Sequence, residues 1–564
     1  MNWLCRGLLL APYAAVAQLQ NVIGCDCKCD NGNMPSMKAP DTGVGGDILS
    51  AGSMCSPDRI AHPSIFGLQI LDLAISHRKN YTFDLLNIPG GPTETYAPMN
   101  LCHVSVTYAH PGWNDKITVT VYMPTENWNG RFQGTGGGGF VTGGESLNTF
   151  YMIPGLRDGF AVATTNGGHG EDIAVHSVDA GDWALLSPGN VNLPLLADFA
   201  HVALHDMAEI GKAITTSFYG VAPHHSYFQG GSTGGRQAIM MAQKYPRDYD
   251  GIVSICPAIN WAKFIMAGYW PQFVMNQLGV YPHGCELDAV TAEAIAACDA
   301  LDGVEDGYIS LPGRCDFDAL SVVGKEFECA GGRRGRISRE AATIANAAWT
   351  GPRSSAGKFQ WYGIGKDALL GDNGQGIAST QCDEDGTCRG VPFAIPVSWI
   401  RHFITKDPDF DITAITHAEW DLLFHRSVSE YESLLSASYA DLSEFRAAGG
   451  KLLSWHGMRD AVIPFNGSVH YYNSVLQEDE DAQAFFRLFL APGAEHSGWV
   501  GPVPSDLVDT VVDWVERQEA PETLRVKGPD GNGRIVERDL CMYPSVQEYV
   551  SGDPSLPPSF RCVG

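Results

Sequence analysis

The chain has 564 residues, 44% hydrophobic and 18% charged, with a formal net charge of −27. That length exceeds one ordinary core and implies a large domain with an insertion, or two domains; the composition is that of a globular protein and excludes a disordered one. So acidic a surface repels phosphate backbones, which sets nucleic acid aside as a partner, and no run beyond the N-terminus has the apolar length of a membrane span.

The first residues, MNWLCRGLLLAPYAAVAQLQ, read as a secretory signal over 1–17. Arg6 supplies the positive region, Gly7 to Val16 the apolar one, and Ala15-Val16-Ala17 a small-x-small cleavage site. The mature protein is therefore expected to be secreted and extracellular. Cys5 leaves with the signal, so fourteen of the fifteen cysteines remain, an even number that reads as a disulfide framework. Asn80 and Asn466 head two glycosylation sequons. Residues 25–45 are polar and turn-rich and read as an irregular arm.

KITVTVYMP at 116–124 alternates Ile117, Val119 and Val121 with threonines and predicts a strand. RFQGTGGGGF predicts a strand running into a glycine loop, and FAVATTN at 160–166 another strand. Over 198–214, Phe199, Val202, Ala203, Met207, Ile210 and Ile214 recur at helical spacing. SYFQGG is a strand, TGGRQAIMMAQKYP a helix ended by Pro246, and GIVSICPA a strand again. This order predicts a parallel sheet covered by helices. Residues 259–431, rich in Trp, Pro and Gly, break the rhythm. It returns with KLLSWHG at 451–457 and FFRLFLAPG at 485–493 as strands, and DLVDTVVDWVERQ at 506–518 as an amphipathic helix. The expected architecture is one α/β catalytic domain, 18–258 and 432–564, split by a lid at 259–431.

Ser232 sits in GGSTG between the predicted strand and helix. That pattern lifts a nucleophilic hydroxyl on a strained turn, and its glycines admit backbone where any Cβ would collide. The following helix N-terminus makes the Thr233 N–H an oxyanion donor. A second donor is expected in QGTGGGGF, with Gly138 as the choice. A serine nucleophile needs a base and the base an orienting carboxylate, in the chain order Ser, Asp or Glu, His. Asp460 and His496 meet that order, each just after a predicted strand. Their neighbours His456 and Glu495 compete; His456 reads as structural, Glu495 as facing solvent or substrate.

GGSTGGRQ, WNGRFQGTGGGGF, KYPRDYDGIV, CDALDGVEDGYI, GPRSSAGKFQWYG, FRAAGGKLLSWHGMRDAVIPFNGSVHYY and FLAPGAEH resemble the tannase and feruloyl esterase family, in its secreted fungal form. The resemblance runs from about residue 50 to the C-terminus. It implies an α/β-hydrolase core with a large lid, and hydrolysis of phenolic esters with Ser232, Asp460 and His496 as nucleophile, acid and base. Within it, a hydroxycinnamoyl (feruloyl) esterase stands first, a tannase acting on galloyl esters second, and an inactive secreted binding protein third. The lid aromatics Trp361, Trp399 and Phe403 are expected near the acyl ring, although lid aromatics more often form core. The family usually places a cysteine before the serine and another after the histidine, joined as a disulfide. Here Gly231 and Ser497 stand there, so that pair leaves no orphan thiol.

CDALDGVEDGYISLPGRC at 298–315 clusters Asp299, Asp302 and Asp306 between glycines, which suits a hard cation. Its spacing is not that of an EF-hand, since Ser310 stands at position twelve. The resemblance places structural calcium here, with Val304 and Tyr308 adding carbonyl oxygens. Cys298 and Cys315 flank the loop as an expected pair; Cys55 with Cys102 and Cys541 with Cys562 follow the family pattern; Cys382 and Cys388 suit a small loop. Cys25, Cys27, Cys29, Cys256, Cys285 and Cys329 stay unassigned.

Overall fold

The computed structural model describes residues 55–564 without 83–96, 171–175, 330–331, 372–375, 385 and 499, and without the side chains of 146–150. The expected signal and Cys25, Cys27 and Cys29 lie outside the described residues. Leu49–Gly564 forms one compact unit in which core and insertion pack together.

The main sheet has nine strands: β1 Gln69–Tyr81, β2 Met99–Ala109, β3 Ile117–Pro124, β4 Arg131–Thr135, β5 Ala161–Thr165, β6 His225–Gly231, β7 Gly251–Ile255, β8 Lys451–Gly457 and β9 Phe486–Ala491. Their order is β1-β2-β3-β5-β4-β6-β7-β8-β9. From β5 onward every pair is parallel. Strands β5 and β7 are buried along their whole length, as sheet covered on both faces requires.

The sequence predicts a parallel sheet; the structure adds an antiparallel end, β1 to β3, joined to β5 antiparallel. The link from β2 to β3 is a short loop, which can only return the chain antiparallel, because a parallel partner needs a crossover. Burial along β1 is patchy, with no residue fully buried, so its apolar pattern is diluted where it forms the edge.

The helix expected over 198–214 is two helices, α1 Leu193–Ala200 and α2 Val202–Tyr219, broken at His201 (φ −165°, ψ −25°). The break has a side-chain cause. Arg236, wholly buried on α3 (Thr233–Lys244), donates to the carbonyls of Ala200 at 2.9 Å and Phe199 at 3.1 Å, satisfying the end of α1. Burial pulls its guanidinium down to about 9. The predicted C-terminal helix appears as α4 Leu507–Arg517.

The insertion is largely helical and owns an aromatic core. Trp399 and Phe403 are wholly buried and stack at 4.7 Å between ring centroids; Trp361 is also buried. The three expected near the acyl ring are therefore core residues. Phe403 also stacks on Phe140, at the end of the glycine loop, at 6.1 Å. Cys55–Cys102, Cys298–Cys315, Cys541–Cys562 and Cys382–Cys388 are paired as expected, and Cys285–Cys329 adds a bridge the sequence leaves open.

Replacing Arg236 by alanine strips both carbonyls of their donor inside the core. We expect a loss of about 2 kcal/mol or more in urea unfolding.

Candidate active site

Strand register sets the site. Gly231 on β6 lies level with Ile255 on β7, and Ile255 with Trp455 on β8. Ser232, Cys256 and the segments after β8 and β9 consequently emerge at one edge, beyond the C-terminal ends of the strands, where such sheets bind ligands.

Ser232 joins β6 to α3 at φ 59°, ψ −120°, a strained conformation for a non-glycine residue. Its surroundings impose it. The Ser232 N–H donates to Ile255 O at 3.0 Å, and its own carbonyl accepts from Ala258 and Arg236. A Cβ on Gly230 would stand 2.6 Å from the Gly234 backbone, and one on Gly235 would strike the Ile255 carbonyl.

His496 Nε2 lies 3.1 Å from Ser232 Oγ, and its Nδ1 lies 2.7 Å from Asp460 Oδ2. The expected three residues are thus brought together. Asp460 is buried, and the backbone N–H groups of Val462 and Ile463 both donate to its Oδ1 at 2.8 Å. His456, wholly buried near the C-terminal end of β8, adds a second imidazole to Asp460 Oδ2 at 3.1 Å and is fixed by Ser468 at 2.8 Å. Sequence reading had it structural; it is that, and it also holds the acid. Glu495 pairs with Arg459 at 3.6 Å, so it does not compete as orienting acid.

The electrostatics follow from burial and charge. Burial alone would raise the Asp460 carboxyl, but His496 and His456 hold it well below the usual carboxylate range. Burial alone would depress the His496 imidazole, but Asp460 first, with the Cys256 thiol adding, raises it well above its ordinary value.

The glycine loop corrects one expectation. The Gly138 N–H donates to Val141 O at 3.0 Å, closing a turn, and is not available to an oxyanion. Gly137 N–H is likewise taken, by Gln237 Oε1 at 2.8 Å. The Gly139 N–H has no hydrogen-bond partner among the described residues, at φ 57°. The Thr233 hydroxyl donates to the Gly139 carbonyl at 2.6 Å and so ties the loop to the nucleophile turn.

The place of the missing disulfide is filled differently from expectation. A Cβ at Gly231 would run into the Tyr151 hydroxyl. A thiol is present after all, brought by another strand: Cys256, buried and free, has Sγ 3.0 Å from Ser497 Oγ. Sequence cannot announce it, because Cys256 is remote in the chain from both Ser232 and His496.

At the acidic loop, Asp299 accepts from the N–H groups of Asp306 (3.0 Å) and Gly307 (2.9 Å), and Asp302 from Val304 (3.0 Å). Asp306 Oδ1 is buried with no partner, while its Oδ2 lies 3.4 Å from Arg538. Burial and then Asp302 push Asp306 up to about 7. A buried, unpartnered carboxylate oxygen beside two further carboxylates fits a hard cation.

A serine on a strand-to-helix turn, an aspartate after a later strand and a histidine after the next, in that chain order, form the arrangement of α/β-hydrolase serine enzymes. The chain matches the family model described as "Tannase and feruloyl esterase" over residues 102–563 and belongs to that family. It is a carboxylic ester hydrolase. It is 39% identical to a probable feruloyl esterase of Arthroderma benhamiae, over 89% of this chain and 93% of that one. It is 27% identical to a tannase of Aspergillus oryzae, over 89% and 92%. Among solved structures, tannin acyl hydrolase from Aspergillus niger superposes with TM-score 0.79 at 26% identity, covering 91% of this chain and 95% of that one.

Two outcomes are expected. The base must be unprotonated, so kcat/KM falls on the acid side with an apparent pKa above the ordinary imidazole value of about 6.5. Asp460→Asn moves that limb to lower pH and cuts kcat roughly 10⁴-fold; a pH–rate profile reads both. Ser497→Cys alone closes a bridge to Cys256, read as the loss of one titratable thiol.

Proposed function

We propose that the protein is a secreted serine esterase that hydrolyses phenolic esters, with hydroxycinnamoyl (feruloyl) esters preferred. The observation that carries the reading is the continuous relay Asp460–His496–Ser232 at 2.7 and 3.1 Å. His496 takes the Ser232 proton as the hydroxyl attacks the ester carbonyl; Asp460 holds the imidazole tautomer and stabilises its charged form. The N–H groups of Thr233 and Gly139 receive the oxyanion. His496 then passes its proton to the leaving alcohol, and water releases the acid from Ser232 in the second half-reaction.

The feruloyl preference rests on the higher identity to the probable feruloyl esterase, 39% against 27% for the tannase. The galloyl reading is the alternative. The intact relay disfavours an inactive binding protein. The disulfides favour an extracellular location. Asn80 is exposed and suits a glycan; Asn466 is half-buried, with the Ser468 hydroxyl sealed against His456. Calcium is assigned to Asp299, Asp302 and Asp306 with the carbonyls of Val304 and Tyr308, where it supplies charge compensation to a fold element and takes no part in the ester chemistry.

Ser232→Ala is expected to lower kcat on methyl ferulate by roughly 10³-fold or more, and a higher kcat/KM on methyl ferulate than on methyl gallate identifies the acyl preference. Unchanged hydrolysis in Ser232→Ala defeats the assignment. The raised Asp306 is protonated in the fold more readily than in the unfolded chain. Its contribution to stability is full below about pH 4 and lost as pH rises through about 7 in metal-free protein. Chelator should therefore lower Tm more at pH 7.5 than at pH 4.5, and calcium should restore it.

A further inference from the structure

A second cluster of ligating groups lies at the antiparallel end of the sheet. His110 follows β2, Asp115 precedes β3, Asp198 is on α1 and Asp206 on α2. The loop folds onto itself: the His110 backbone N–H donates to Asp115 Oδ1 at 2.8 Å, and His110 Nδ1 meets Asp115 Oδ2 at 2.5 Å. The other ring nitrogen, Nε2, lies 3.1 Å from Asp206 Oδ2, which also accepts from the Tyr108 hydroxyl at 2.9 Å. The Trp113 ring packs on His110 at 4.6 Å. One ligand atom each from His110, Asp115 and Asp198 lie within 4.8 Å of one another.

Asp198 is the anomaly. It is wholly buried, and neither of its carboxylate oxygens has a hydrogen-bond partner. An ionised carboxylate without donors in that place is costly. A proton removes the charge, but the neutral carboxyl then carries an O–H that needs an acceptor of its own. Three carboxylates also face a single imidazole, so negative charge is in excess even with His110 protonated.

We propose that His110, Asp115 and Asp198 form a structural site for a divalent transition-metal ion, zinc or manganese. The donor set decides the class: one imidazole nitrogen with carboxylate oxygens suits these ions better than calcium or magnesium, which take oxygen alone. The metal takes the place of the proton that His110 Nδ1 shares with Asp115, and that proton leaves to solvent. Asp206 then has the role a carboxylate has behind a ligating histidine: it accepts from Nε2–H and fixes the ring, itself oriented by Tyr108. Occupied, the site clamps the β2–β3 loop to α1, whose last carbonyls hold Arg236 on the nucleophile helix. The clamp is a stabilising device and lies apart from the acidic loop at 298–315.

Equilibrium dialysis against Zn²⁺ and, separately, Mn²⁺, with calcium saturating, tests this on the whole protein. Wild type and Asp306→Asn are expected to retain one equivalent and Asp198→Asn none, and Tm should rise with the metal in the first two and not in Asp198→Asn. In metal-free buffer Asp198→Asn should melt at or above wild type, since it removes the unpartnered charge; that also establishes that the variant folds. If it does not fold, Asp115→Asn is read in the same dialysis. No stoichiometric uptake of either ion by wild type, or equal uptake by a folded Asp198→Asn or Asp115→Asn, overturns the proposal.

Discussion

One buried carboxylate organises the catalytic edge of the sheet. Asp460 receives two backbone N–H groups on one oxygen and two imidazoles on the other. The backbone donors fix the turn after β8, His456 anchors the acid to the core below, and His496 is what remains free to face Ser232. An ion so placed is tolerated only because every lone pair is engaged. The same saturation gives His496 one tautomer and one orientation, which is the condition for a serine to be activated at all.

With that constraint met, the missing disulfide becomes understandable. A bridge beside the serine and histidine would fix their separation covalently. Here Tyr151 occupies the space a side chain at Gly231 would need, and Cys256 and Ser497 make the lateral contact. The spacing between Ser232 and His496 is set from below, by β6, β7 and β8 in register and by Asp460 between two histidines.

Much of this was legible in the sequence, and the reasons differ by element. The nucleophile turn was, because glycine is required wherever backbone meets backbone, and GGSTGG advertises it. Asp460 and His496 were, because chain order and strand ends narrow the choice. Gly138 was misread: a run of glycines shows that N–H groups approach something closely, but not which of them is spent on an internal turn. The helix break at His201 was hidden because its cause, Arg236, acts from another helix. Apolar periodicity continues across the break and reports the buried face alone. Strand β1 went unread because its edge position dilutes its alternation; β2, between β1 and β3, does alternate, with Val104, Val106 and Tyr108 buried, and that signal was overlooked. Cys256 and Asp198 take their meaning only from neighbours distant in sequence.

The ring contact between Phe140 and Phe403 carries one more implication. It sews the inserted segment to the loop that borders the nucleophile, so the cover cannot swing as a separate flap without tearing open an aromatic interior. Entry and exit of ligands are left to the rim, where short polar turns can vary without disturbing the seam. Divergence in acyl preference among relatives of this design should therefore be written in those marginal turns, while the rings beneath them stay constant.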